Sequence, residues 1–419
     1  MTPSGRAVTA RTFDALGNRN YRFFFGGQTI SVTGSWLQST AQAWLILELT
    51  HSPLVLGLLL TVQFLPNSLL QPFGGVVGDR WPKRRVLIVT QSSFAITAAV
   101  LGIIEGLHMA KVWEVFVVVA VFGVISVVDG PTRQAFVPEM VGKRRMSNAV
   151  ALNSMVYNGA RVIGPAIAGG LIAAVGTAAC FDLNAVSYLA AIGGLLLMRP
   201  EELHPNPRFG GAVSEVLTEV REAIGYVRRS REVALVIILM AIVSVFSYNL
   251  TIMITALART DLHSGAGGFG LLSASLGAGA LVGALGVAYM SRASVGTLLI
   301  GCGFFGLFLA LSGQVSRLTS AMALLALAGG GLTVYSAMSN SVVLTFTPGR
   351  LQSRVMSLYL WVFLGSTPLG SLFAGGVEQA WGDRVTMALG GALAILAAAG
   401  GTWWWTRSTW PKTAHPALP

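Results

Sequence analysis

Charge is scarce in this sequence: only 11% of its 419 residues are Asp, Glu, Lys or Arg. A soluble domain carries roughly 25% charged residues to keep its surface in water, so a soluble globular protein is excluded. Cysteine is scarcer still, and Cys180 and Cys302 both lie inside apolar stretches. Two such thiols make neither a disulfide framework nor a thiolate metal site. The five histidines include no pair at ligand spacing, so no metal and no cofactor is expected. Near the ends of the apolar runs there is no nucleophile, acid–base or metal constellation, which argues against a membrane-embedded enzyme. The first twenty residues hold Arg6, Arg11 and Arg19 but no apolar core of their own. They read as a cytoplasmic tail rather than a cleaved signal.

What the sequence has in abundance is apolar length and glycine: 53% of residues are hydrophobic and 50 are Gly. A bilayer-crossing helix needs ~20 mostly apolar residues, because its backbone polar groups must be satisfied internally. Small residues let such helices approach closely. Twelve spans are expected, at 22–47, 54–77, 86–107, 112–134, 148–174, 179–198, 233–258, 268–290, 295–313, 319–344, 355–377 and 385–406. Pro66, Pro72, Pro165 and Pro368 fall inside them, where neighbouring helices must re-satisfy the freed backbone groups.

Lys and Arg set the orientation. With both termini cytoplasmic, 23 of the 28 basic residues fall on inside segments, while Lys111, Arg259, Arg317 and Arg384 fall outside and Arg161 within a span. The net charge of +11 is therefore an orientation signal near anionic lipid and not a nucleic-acid footprint. The expected organisation is a cytoplasmic tail at 1–21, six spans over 22–198, a cytoplasmic linker at 199–232, six spans over 233–406 and a cytoplasmic tail at 407–419. In the linker Val213, Val216, Val220, Ile224 and Val227 recur at helical spacing between Glu215, Glu219, Arg221 and Glu222. This predicts an amphipathic helix beneath the bundle.

The two halves are related. Phe136, Pro138, Met146 and Ser147 recur as Phe346, Pro348, Met356 and Ser357, and Gly57-Leu58-Leu59 recurs as Gly270-Leu271-Leu272. A repeat of half the chain length is expected where two bundles share one ancestor and hold the substrate between them. The connection after the second span reads Gly75-Val76-Val77-Gly78-Asp79-Arg80-Trp81-Pro82-Lys83-Arg84-Arg85. Gly75 permits helix contact, Asp79 suits a helix N-terminus, and Arg80, Arg84 and Arg85 hold the loop at the inner surface. This resembles the loop signature of the major facilitator superfamily, with Pro82 where the family usually has glycine. The fifth span carries Arg161-Val162-Ile163-Gly164-Pro165-Ala166-Ile167-Ala168-Gly169-Gly170. It resembles the glycine-proline signature of drug/proton antiporters, with Ala168 in place of a first glycine. A kink is expected over Gly164, Pro165, Gly169 and Gly170. Asp129 to Glu139 and Asn148 to Ser154 look like the branch that contains the enterobactin exporter and macrolide efflux proteins.

The resemblance implies an all-α membrane protein with twelve transmembrane helices in two pseudo-symmetric six-helix bundles. It also implies that the first, fourth, seventh and tenth spans line a cavity. Polar faces are present on all four: Gln28, Ser31, Ser35, Gln38 and Gln42; Ser126, Asp129 and Arg133; Ser244, Tyr248, Thr251 and Thr255; and Thr333, Ser336 and Asn340. The competing reading of such faces is hydrogen-bonding between helices, worth ~0.6 kcal/mol per contact. Ionisable groups inside spans are costly and point to function. Arg161, halfway along the fifth span, calls for a carboxylate partner or an anionic substrate. For Asp129 the resemblance implies pairing with Arg80 or Arg84. No span holds a deep isolated carboxylate, so coupling to protons is implied by family alone. The expected function is proton-coupled efflux of a small amphipathic, drug- or siderophore-like compound by a monomer in the bacterial inner membrane. The alternatives are a lysophospholipid or other lipid transporter, and a non-transporting scaffold or sensor.

Overall fold

The computed structural model describes residues 13–204, 213–290 and 293–407, and among them every regular element is helical. Helices α1 to α3 cover Arg19–Thr50, Pro53–Arg80 and Lys83–Gly106. Helices α4 to α6 cover Val112–Gly142, Asn148–Val175 and Ala178–Leu196. The linker helix α7 is Val213–Val227, followed by α8 (Arg231–Phe246), α9 (Leu250–Arg259) and α10 (Gly265–Tyr289). Last come α11 (Val295–Ser312), α12 (Leu318–Phe346) and α13 (Gln352–Arg407). With α8 and α9 counted as the seventh span and α13 as two, these are the twelve spans expected. The amphipathic helix forms over the residues that its spacing predicts.

Two junctions are tighter than expected. Helix α4 runs to Gly142 (φ 67°, ψ 175°), and α13 turns at Gly382 (φ 81°, ψ 174°). That region of backbone space is essentially open only to glycine, so each junction pivots on one glycine within an otherwise helical run. The repeated Phe-Pro-Met-Ser sets straddle the matching junction in each half, that of the fourth and fifth spans and that of the tenth and eleventh.

The seventh span departs from the unbroken helix expected over 233–258: it is interrupted at Ser247–Asn249. Side chains compete for the backbone here. The Asn249 amide donates to the carbonyls of Val245 (3.0 Å) and Ser244 (3.4 Å). The Ser247 hydroxyl donates to Gly390 O at 2.7 Å, and Ser371 donates to Asn249 Oδ1 at 3.2 Å.

The chain forms two compact units, residues 1–49 with 69–210 and residues 50–68 with 211–419. In the first, α1 and α6 meet across small residues. A Cβ on Gly27 would stand 2.7 Å from Ala190 O, and one on Gly194 would stand 2.5 Å from Phe23 O. One end of this unit is closed by an apolar cluster that includes Tyr21, Phe24, Leu87, Phe136, Met140 and Leu195. The segment before α1 is pinned there by Ala15 N donating to Asn148 Oδ1 at 2.9 Å, and by the Tyr21 hydroxyl donating to Ala149 O at 2.9 Å.

In the second unit, residues 53–68 of α2 lie along the first part of α13, and the prolines explain how. Pro368 lacks the N–H that would bond Leu364 O, and the Ser68 hydroxyl donates to that carbonyl at 3.2 Å. Pro72 in turn leaves Ser68 O without its helical donor, and the Trp361 indole supplies one at 3.1 Å. Each proline thus orphans a carbonyl that the other helix satisfies, as helices in an apolar medium require.

Candidate functional site

The most densely connected polar site among the described residues is built around α4 in the first unit. Asp129 and Arg133 stand one turn apart on α4, so their side chains share a face, and they form an ion pair through Oδ2 and Nη2. The Asp129 side chain is 4% exposed and that of Arg133 13%. A charge pair this deep is tolerated only when its remaining hydrogen-bonding capacity is filled. Helix α3 supplies two donors to Asp129 Oδ1, the Thr90 hydroxyl at 2.7 Å and the Gln91 amide at 3.0 Å. Arg133 Nη1 donates to Gln28 Oε1 of α1 at 2.7 Å and to the Tyr157 hydroxyl of α5 at 3.0 Å. Arg133 Nε is buried without a hydrogen-bond partner. Four helices are therefore tied to one ion pair. Tyr157, 38% exposed, is where the network reaches the surface.

The polar row on α1 continues this network. Ser31 donates to Gln91 Oε1 at 3.3 Å, Ser35 shares a hydrogen bond with the Tyr188 hydroxyl at 3.1 Å, and Gln38 Oε1 accepts from Asn184 at 2.6 Å. Gln42 is buried beside them, its Nε2 unpaired. The structure places Gln28, Ser31, Gln38 and Gln42 inside the unit, the first three as ties between helices. The physical reason is that a polar group surrounded by apolar ones gains most from a fixed protein partner.

The other expected residues are distributed as follows. The side chains of Gly75, Asp79 and Arg80 lie outside the described residues. Arg84, one of the two partners expected for Asp129, instead bonds the C-terminal carbonyls of α6, Nε to Leu195 O at 2.7 Å and Nη2 to Leu196 O at 3.2 Å. Helix-end carbonyls have no partner of their own, and an arginine fork serves two at once. Arg85 is exposed. Lys83 pairs with Glu139 at 2.8 Å. Arg161 is half-buried, its guanidinium 5.8 Å from the ring centroid of Trp36 on α1.

Gly164 and Pro165 keep helical backbone angles, and the one break in the run from Val112 to Val175 is at Gly142. A Cβ on Gly164 would come within 2.5 Å of Trp36 Cβ, so this glycine serves close approach to α1. Gly169 is buried and Gly170 exposed. In the second unit Ser244 and Thr255 are buried, with Thr255 donating to Thr251 O at 2.5 Å. Tyr248 sits in the break of the seventh span, its ring edge-on to Phe363 with centroids 4.9 Å apart. Ser336 and Asn340 are exposed on α12.

The expectations passed over Thr90, Gln91, Tyr157, Asn184 and Tyr188. Thr90-Gln91 is a polar pair within an apolar run, which was the available signal; the tyrosines carry none.

The family model described as "Transmembrane secretion effector" matches residues 10–413. The staphyloferrin A transporter of Staphylococcus aureus is 30% identical over 41% of this chain and 43% of its own length, so that match spans less than half of the relative. Macrolide efflux protein A of Streptococcus pyogenes is 21% identical over 89% of this chain and 93% of its own. The enterobactin exporter EntS of Citrobacter koseri is 24% identical over 85% of both. Among solved structures, a bacterial homolog of the lysosomal transporter Spinster superposes with TM-score 0.71 at 15% identity, covering 92% of this chain and 96% of that one. At that identity the likeness speaks for the fold alone. The fold is that of the major facilitator superfamily, twelve membrane helices with no strand among the described residues, and its members are secondary transporters of small molecules. With a single family model matched along nearly its whole length, this chain belongs to the transmembrane secretion effector family of major facilitator transporters.

Proposed function

We propose that the protein is a proton-coupled exporter of a small amphipathic compound, drug- or siderophore-like, working by alternating access between two six-helix halves in a bacterial inner membrane. The observation that carries this reading is the buried Asp129–Arg133 pair of α4, joined to α1, α3 and α5 and reaching the surface at Tyr157. A charge pair held inside a membrane helix is costly and marks an ion or substrate pathway. The relatives named as macrolide and enterobactin exporters supply the direction and the cargo class.

Arg133 is the group suited to an anionic part of the cargo. It cannot lose its charge, and its planar fork can exchange one partner for another. Tyr248, Thr251, Ser336 and Asn340 of the second unit are the polar groups we assign to cargo contact there. Asp79, Arg80, Arg84 and Arg85 serve conformational cycling rather than binding, since Arg84 is spent on helix-end carbonyls. Both termini are cytoplasmic, and the transporter acts as a monomer.

The test is efflux of macrolide and catecholate-siderophore probes from energised vesicles, with and without a proton uncoupler. Uncoupler-sensitive efflux that Arg133→Gln abolishes supports the reading. Efflux that persists undiminished with uncoupler overturns the coupling, and failure to move either class overturns the cargo assignment.

A further inference from the structure

A second set of buried charges lies far along the chain from the α4 pair, in the connection that follows the eleventh span. Glu378 and Asp383 flank the turn at Gly382, and each is only 4% exposed. Each carries one carboxylate oxygen, Oε2 of Glu378 and Oδ2 of Asp383, buried without a hydrogen-bond partner. An ionised carboxylate can only accept hydrogen bonds. When it is buried without donors it is so unfavourable that the group takes up a proton instead.

The surroundings do not relieve it with positive charge. The charges that act on Glu378 are Asp383, across the turn, and Asp261, on the connection after α9. Both are acidic. The next cation, Arg384, is committed to Asp261, Nε to Oδ2 at 2.5 Å. The remaining charged and titratable groups on the elements around this turn are Arg259 at the end of α9, His263 on the connection after it, His51 before α2 and Arg317 before α12. Among the described residues none of them forms an ion pair with Glu378 or Asp383. The polar neighbours are the Thr386 hydroxyl toward Glu378, and the backbone N–H groups of Asp383 and Arg384 with the Thr260 hydroxyl toward Asp383.

Burial above all pushes the Glu378 carboxyl up to about 8; the Thr386 hydroxyl opposes it, and the like charges of Asp383 and Asp261 add smaller upward effects. Burial and the charge of Asp261 raise Asp383 as well. A carboxyl raised in this way is neutral at pH 7 and gives up its proton as pH rises through about 8. Among the described residues no three His, Cys, Asp or Glu side chains are grouped to hold a metal ion.

We propose that the Glu378–Asp383 pair at the α13 turn is a proton-binding site, with Glu378 as the group that takes up and releases the proton. The proposal deepens the proton-coupled reading above and rests on it for its role in transport. The basic-residue asymmetry puts this connection on the outer face, where a proton would enter. The group is matched to that task because a carrier works best when its affinity lies near the ambient pH.

The experiment is infrared difference spectroscopy of the purified full chain, titrated with pH. Wild type should show a protonated-carboxyl band that is lost with a midpoint near 8. Glu378→Gln should lack that band, and Asp383→Asn, by removing a like charge, should move its midpoint downward. A band untouched by Glu378→Gln, or a wild-type midpoint in the ordinary carboxylate range, overturns the proposal. If Glu378→Gln does not fold, the Asp383→Asn shift decides alone, and an unmoved midpoint overturns it. The band is read without cargo or gradient. Its presence alongside uncoupler-insensitive efflux would uphold the site and overturn the coupling reading instead.

Discussion

Asp129 and Arg133 show what one ion pair contributes when buried. Removing either partner strands the other charge among apolar side chains, which costs about 3–5 kcal/mol, whereas removing both leaves neutral groups that can repack. Asp129→Asn and Arg133→Gln should therefore each lower the unfolding midpoint of the purified protein strongly, and the double variant by less than their sum. Strictly additive losses would show that the two charges are held independently. Arg161 is a different case. Its guanidinium lies over Trp36, a contact worth about 0.5–2 kcal/mol. Arg161→Lys should retain part of the wild-type stability and transport, and Arg161→Ala with Trp36→Ala should be less harmful than the singles combined. Wild-type stability and transport in Arg161→Ala would make this arginine dispensable.

At the scale of the element, the prolines of the second and eleventh spans make the clearest case. Ser68 donates to the carbonyl that Pro368 leaves unpaired, so Ser68→Ala should destabilise by about 1 kcal/mol, the net worth of one hydrogen bond. Pro368→Ala restores a backbone N–H for Leu364 O, and in that background Ser68→Ala should be almost neutral. Thermal unfolding of the four proteins in one detergent checks this. An equal loss in both backgrounds would mean that Ser68 acts through something other than the orphaned carbonyl. The break in the seventh span rests on the same chemistry. Asn249 takes over carbonyls that a continuous helix would have bonded, which is why hydrophobic spacing alone read 233–258 as one helix.

For the whole molecule, the distribution of Lys and Arg predicts that both termini face the cytoplasm. A reporter active only outside the cytoplasm, fused after Pro419, should stay silent. Strong activity there would require an odd number of spans or the opposite orientation. The two units add a point that linear order does not contain: the first part of α2 belongs with α13, while the rest belongs with α1 and α3 to α6. Spacing reads α2 as one uninterrupted span because both parts are equally apolar.

The sequence by itself determined the class of protein, the number of spans, the amphipathic linker and the internal repeat. All of these rest on apolar length, charge scarcity and period, which are properties of neighbours in the chain. Only the tertiary structure decided the partners. Asp129 took Arg133 from its own helix where Arg84 was a candidate, and Arg84 went to the end of α6. The polar row of α1 turned into its own unit, onto Gln91, Asn184 and Tyr188. Glu378, which reads as a loop residue, became buried. Period tells which side chains share a face but not what that face meets. In an apolar medium a polar group goes to whichever partner the packing brings within hydrogen-bond distance.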